Sequence, residues 1–144
     1  MNLYMAGIDF QCANLAVREP VSLVQGQVEA LLPKIRAFDG VLGCVLLATC
    51  NRTELYLHTA HNKVDPLFVL TQAIGVAYDI YTPIAVVRKN KDTVRHLMEV
   101  ASGLQSQIFG DDQILSQVRA AIATSRKLNC ADNVLHTLFR HAVT

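Results

Sequence analysis

The sequence has little charge and no long apolar run. Only 17% of its 144 residues are charged, against 51% apolar. No stretch approaches the roughly 18 unbroken apolar residues of a membrane-crossing helix, and the longest run, Val41 to Ala48, is strand-sized. The opening MNLYMAGIDF lacks the basic and small-residue features of a signal peptide. None of the four cysteines, Cys12, Cys44, Cys50 and Cys130, has CxxC spacing. That argues against a zinc ribbon or a redox dithiol, and free thiols in a cytoplasmic protein are the expectation. The chain also lacks a Gly-rich phosphate loop, a Ser/His/Asp elbow and HExxH, so no dinucleotide or metal site is expected within it. The net charge of +1 by itself argues against a strong nucleic-acid footprint.

What is present is an ordered series of apolar patterns. Leu3–Phe10 reads as a strand. Val17, Val21, Val24, Val28, Leu31, Ile35 and Phe38 form one helical stripe. Pro20 suits the first turn of that helix, and Pro33 predicts a kink or an early stop. Val41–Ala48 reads as a strand covered on both faces. Thr53–Thr59 reads as a second strand, with Leu55 and Leu57 on one face and Tyr56 and His58 on the other. Asp65-Pro66 caps a helix to about Tyr78, and Ile84–Arg88 closes the series as an edge strand. The order predicts an α+β fold, a ferredoxin-like β-α-β-β-α-β sandwich, followed by a helical subdomain. The expected division is residues 1–89 and 90–144. The second part carries two apolar stripes. One is Val94, Leu97, Met98, Ala101 and Leu104, and the other is Ile114, Leu115, Val118, Ala121, Ile122 and Ser125. Residues 84–144 are net positive, with Arg88, Lys89, Lys91 and Arg95 clustered. A solvated helix start explains that cluster, and a phosphate backbone is the second reading.

Cys50 is the first candidate for chemistry. It sits at a polar break between two strands, where a thiol is accessible, and a thiolate is the best nucleophile in such a chain. Arg52 stands two residues on, where it could favour the thiolate or grip a carboxylate bidentately. Spacing alone leaves an inert cysteine and an ordinary ion pair as the commoner meanings of these residues. His96 falls opposite the Val94–Leu97–Met98–Ala101 stripe, which predicts a polar-face histidine. Between the helical stripes lies a polar segment containing Ser106, Gln107, Asp111, Asp112 and Gln113, in which an aspartate suits an N-cap.

LLATCNRTELY (residues 46–56) and HLMEVASGLQSQIFGDDQILSQVRAA (residues 96–121) resemble two signatures of the glutamyl-tRNA reductase family. GIDFQCANLAVRE and LFRHAV resemble its opening segment and the start of its spine helix, so the resemblance covers essentially the whole chain. It implies an oxidoreductase of tetrapyrrole (porphyrin) biosynthesis. A catalytic cysteine, here Cys50, takes glutamate from glutamyl-tRNA as a thioester, and NADPH then reduces it to glutamate-1-semialdehyde. It implies that Arg52 holds the substrate's side-chain carboxylate, with Thr49, Ser106, Asp111 and Gln113 also binding the glutamate. His96 would act as an acid/base or orienting group. NADPH-binding and dimerisation domains would lie outside these residues, giving a homodimer able to contact the next enzyme of the pathway. The sequence departs from the family pattern at Asp9, Phe10, Cys12, Asn14, Gln105 and Asp111. A non-catalytic ferredoxin-like RNA-binding module or a divergent paralogue is the alternative.

Overall fold

The computed structural model describes residues 1–105 and 113–144. Four strands, β1 (Asn2–Asp9), β2 (Val41–Ala48), β3 (Arg52–Thr59) and β4 (Val86–Lys89), form one antiparallel sheet in the order β2-β3-β1-β4. β3 lies between β1 and β2, which is the split βαβ arrangement of a ferredoxin-like fold. Helices α1 (Leu15–Arg18), α2 (Gln25–Arg36), α3 (Pro66–Ile74) and α4 (Tyr78–Tyr81) occupy the connections before β4. Helices α5 (Lys91–Ala101), α6 (Gln113–Lys127) and α7 (Asn133–Ala142) follow it.

The two-residue period of the strands sorts side chains onto two faces. Tyr4, Leu46, Leu55 and Leu57 pack with Val28, Leu31, Leu32 and Ile35 of α2 and with Val69 and Leu70 of α3. Leu3, Met5, Val45, Leu47 and Tyr56 pack with Leu97, Val118, Leu135 and Phe139 of the three later helices. The helices after residue 90 therefore share a core with the sheet. β2 is covered on both faces, as its unbroken apolar run predicts. On its outer edge Cys44 is satisfied: its N–H donates to the Cys130 carbonyl at 2.8 Å, and the Ser125 hydroxyl donates to its carbonyl.

Several elements differ from expectation. The single stripe from Val17 to Phe38 is divided among α1, a 3-10 turn at Glu19–Val21, and α2, which begins at Gln25. Val21 is buried beside Ala6, Ile8, Leu67 and Tyr81, whereas Val28 joins the α2 core and Val24 is exposed. The stripe thus serves two different clusters. Nor does Pro33 stop the helix, which continues to Arg36. Pro33 removes the donor to the carbonyl of Glu29, an exposed residue, while Leu32 and Ile35 on either side are fully buried. α3 ends at Ile74 rather than Tyr78, because Gly75 takes a left-handed conformation (φ +91) as C-cap. β4 starts at Val86, two residues late, since Ile84 and Ala85 donate back to the Tyr81 carbonyl.

Candidate active site

The β2–β3 hairpin turns through Thr49, Cys50 and Asn51, and backbone and side-chain bonds define its shape. Thr49 N–H donates to the Arg52 carbonyl at 2.9 Å, and Asn51 N–H donates to Thr49 Oγ1 at 3.2 Å. Arg18 Nη1 donates to the Cys50 carbonyl at 3.2 Å, and Phe10 N–H to the Asn51 carbonyl at 2.9 Å. Cys50 is exposed, while Cys44 and Cys130 are buried and Cys12 is half-buried. Burial pushes the Cys44 and Cys12 thiols above their ordinary values, with Cys130 adding to the effect on Cys44. Thr49, Cys50, Asn51 and Arg52 line one depression with Gln113 and Gln117 of α6.

Behind the turn lies a buried charged network. Arg52, Glu54 and Tyr56 alternate on the face of β3 toward α5. Arg52 Nη1 donates to Glu54 Oε2 at 3.1 Å, and its Nη2 donates to the Gln105 carbonyl. His96 Nε2 lies 2.7 Å from the same Glu54 Oε2, and the Tyr56 hydroxyl donates to Glu54 Oε1 at 2.8 Å. Glu54 is fully buried, and Arg52 and His96 nearly so. Burial alone would raise the Glu54 pKa. The hydrogen bond and charge of His96, then Arg52 and Tyr56, outweigh it and hold the carboxyl below its ordinary value. The same burial, with the Glu54 carboxylate, pushes the Tyr56 phenol well up.

His96 is not on a solvent-facing side, contrary to the stripe analysis. The buried face of α5 is Thr93, His96, Leu97, Val100 and Ala101, while Leu104 is exposed. α5 ends at Ala101, so Leu104 lies beyond the helix, and His96 is turned inward because the buried Glu54 carboxylate needs partners. Glu54 and Tyr56 were not singled out from sequence as site residues. The available signal was period two: a glutamate between Arg52 and Tyr56 in a strand otherwise lined by Leu55 and Leu57. Ser106 and Asp111 lie outside the described residues. The departures at Asp9, Cys12 and Asn14 have local roles. Asp9 Oδ1 accepts from the Gln11 and Cys12 N–H groups at 3.0 Å each, and Asn14 caps α1 by accepting from Val17 N–H at 3.0 Å.

Gly7 faces Glu54 across the β1–β3 pair. A Cβ there would sit 2.8 Å from Glu54 Cγ, 3.2 Å from Met5 Cε and 3.3 Å from the Thr53 carbonyl. Gly7→Ala is expected to destabilise the fold by about 1–3 kcal/mol, as overpacking does. Urea denaturation checks this, and an unchanged midpoint would contradict the crowding.

A ferredoxin-like α+β domain with an exposed cysteine on its β2–β3 hairpin, backed by a buried guanidinium–carboxylate–imidazole network, is the class that fold and site define. Known proteins narrow it. A family model described as glutamyl-tRNAGlu reductase, N-terminal domain, matches residues 6–144, and the chain belongs to that family. Glutamyl-tRNA reductase of Acetivibrio thermocellus is 40% identical over 145 residues, covering 100% of this chain and 44% of the relative. That of Alkaliphilus oremlandii is 38% identical over 144 residues, covering 99% and 43%. The solved glutamyl-tRNA reductase from Methanopyrus kandleri superposes with a TM-score of 0.77 at 32% identity, over 98% of this chain and 32% of that one. The chain therefore spans less than half the length of these relatives. Among the described residues, no helix is long and apolar enough to cross a membrane, and no group of residues could hold a metal ion.

Proposed function

We propose that this chain is the catalytic, substrate-binding domain of a glutamyl-tRNA reductase, with Cys50 as nucleophile. The observation that carries the reading is the exposed Cys50 thiol on a braced turn, in one depression with Arg52. In this reading the Cys50 thiolate attacks the ester carbonyl of glutamyl-tRNA. The C–S bond forms, the C–O bond to the terminal ribose breaks, and the departing hydroxyl takes up a proton. A glutamyl thioester remains on Cys50.

Arg52 would bind the glutamate side-chain carboxylate. Its bonds to Glu54 and to the Gln105 carbonyl support that role by fixing the guanidinium plane before substrate arrives. Thr49, Gln113, Ser106 and Asp111 would complete the glutamate site. For His96 the orienting role is favoured over acid/base work, because Nε2 is engaged by Glu54, which in turn positions Arg52.

The described residues do not fit NADPH. The sheet is antiparallel, and none of the seven glycines forms a G-x-G-x-x-G segment. Reduction of the thioester to glutamate-1-semialdehyde is accordingly assigned to a separate NADPH domain, and this chain's residues are given no hydride step. A place in tetrapyrrole synthesis, a homodimer, a cytoplasmic location and contact with the next pathway enzyme belong to the same proposal for the whole enzyme.

The glutamate site is tested by calorimetric titration of a non-reactive glutamyl amide. Arg52→Lys is expected to weaken binding about tenfold to a hundredfold, the worth of a hydrogen bond to a charged group. One ammonium cannot span Glu54, the Gln105 carbonyl and a ligand as a planar fork does. Equal affinity in both proteins would remove Arg52 from the site.

A further inference from the structure

A second cavity opens beside the Cys50 depression, between α2 and α6. Gln117 lines both, and Ala48 of the second cavity directly precedes Thr49-Cys50 in the chain. The Cα atoms of Ala48 and Cys50 are at most about 7.6 Å apart, two peptide spans. The cavity measures about 160 Å³, against about 40 Å³ for the Cys50 depression. Its α6 wall is Gln117, Ala120, Ala121 and Thr124, the i, i+3, i+4, i+7 spacing of one helix face. Gln25 of α2 stands opposite, and Gln25 Nε2 donates to Thr124 Oγ1 at 3.1 Å across the gap.

The lining has a definite chemical character. Val28, Leu46 and three alanines form its apolar walls, amides and a hydroxyl stand among them, and no ionisable side chain takes part. Such a groove suits a neutral, flat group with hydrogen bonds along its edge. It does not suit a carboxylate or a phosphate, which would lose hydration without a charged partner. Under the reading above, the group bonded to the reacting carbonyl is the terminal nucleoside of tRNA. Within reach of Cys50, the adenosine is the neutral part of that substrate, since the glutamate and the phosphates are charged.

We infer that the α2–α6 groove is the subsite for the 3′-terminal adenosine of glutamyl-tRNA. The base lies against Ala48, Ala120 and Ala121, and the Gln25 and Gln117 amides read its edge. Gln25 gives up Thr124, an exposed contact, to do so. The inference rests on the proposed function and extends it to the leaving group. It makes Ala120 and Gln117 determinants of which acyl donors react.

The test uses two acyl donors and one binding measurement. Ala120 is exposed, so Ala120→Trp fills the groove from its rim without altering the core. Cys50 acylation is followed by intact-protein mass, with glutamyl-tRNA or with the glutamyl thioester of N-acetylcysteamine, which has no nucleoside. Ala120→Trp is expected to slow acylation by glutamyl-tRNA about tenfold, in the range of a lost base-stacking contact, and to slow the small thioester far less. Equal slowing of both donors, or of neither, overturns the inference. Separately, adenosine titrated into the isotopically labelled chain should shift the amide signals of residues 117–124, and Ala120→Trp should remove the shifts. If neither donor acylates the unaltered chain, the proposed function has failed. The adenosine titration then still decides the groove, and absent shifts there overturn it.

Discussion

Mixed with glutamyl-tRNA at high concentration, the chain is expected to gain one glutamyl group on Cys50, and Cys50→Ser is expected to abolish the gain. Ester-to-thioester exchange needs a thiolate, an oriented ester and a departing ribose hydroxyl, and no reductant enters it. A serine hydroxyl keeps the shape of the turn but is a far weaker nucleophile without an adjacent base. Cys12→Ser, Cys44→Ser and Cys130→Ser should retain the adduct. Burial raises the pKa of all three thiols, which keeps them protonated and poorly nucleophilic. Water should then release free glutamate slowly, with no semialdehyde formed. Intact-protein mass spectrometry reads the adduct, and alkylation mapping ranks the four thiols. A chain that binds the tRNA but carries no adduct, with Cys50 no more reactive than the other three, would leave the nucleophile assignment without support.

Removing the Glu54 carboxylate should have the largest effect on stability. Glu54→Ala leaves Arg52 buried without its counter-charge and His96 and Tyr56 without their acceptor. Breaking a buried ion pair from one side costs about 3–5 kcal/mol, a large share of the usual stability of a domain this size. Glu54→Gln keeps the volume and isolates the charge. The Glu54 carboxyl is held below its ordinary 4.5 in the folded state. Its contribution is therefore fully present above that value and is lost as pH falls through the lower folded-state value. Urea denaturation from neutral pH into the acid range should show this fall in the unaltered chain and a shallower one in Glu54→Gln. Identical acid profiles would mean that the network does not stabilise the fold through the Glu54 charge. Arg52→Lys and Glu54→Gln should also be non-additive in glutamyl amide binding, because both act on one guanidinium.

The hairpin bearing Cys50 was legible because its signals are local. An eight-residue apolar run, a polar interruption and an alternating strand follow one another without a gap, and each is decided by its neighbours in sequence. The same holds for the N-cap at Asp65, which accepts from the Leu67 and Phe68 N–H groups, and for the α6 stripe, of which every position but the half-buried Leu115 is buried. Where one stripe served two clusters, as from Val17 to Phe38, periodicity described a helix that the chain divides. Spacing records which residues are apolar and leaves open which partner each of them finds.

By itself the sequence determined the element types, the ferredoxin-like order, the family and the position of Cys50 at a strand end. Each depends on residues close together in the chain or on whole motifs. Tertiary structure alone decided the rotation of α5 and the setting of Arg52. His96 and Glu54 are 42 positions apart, and Arg52 reaches the Gln105 carbonyl across 53. A helix face becomes the inner face according to what lies beneath it. Here that is a carboxylate whose burial is tolerable only with the imidazole, the guanidinium and the phenol turned toward it.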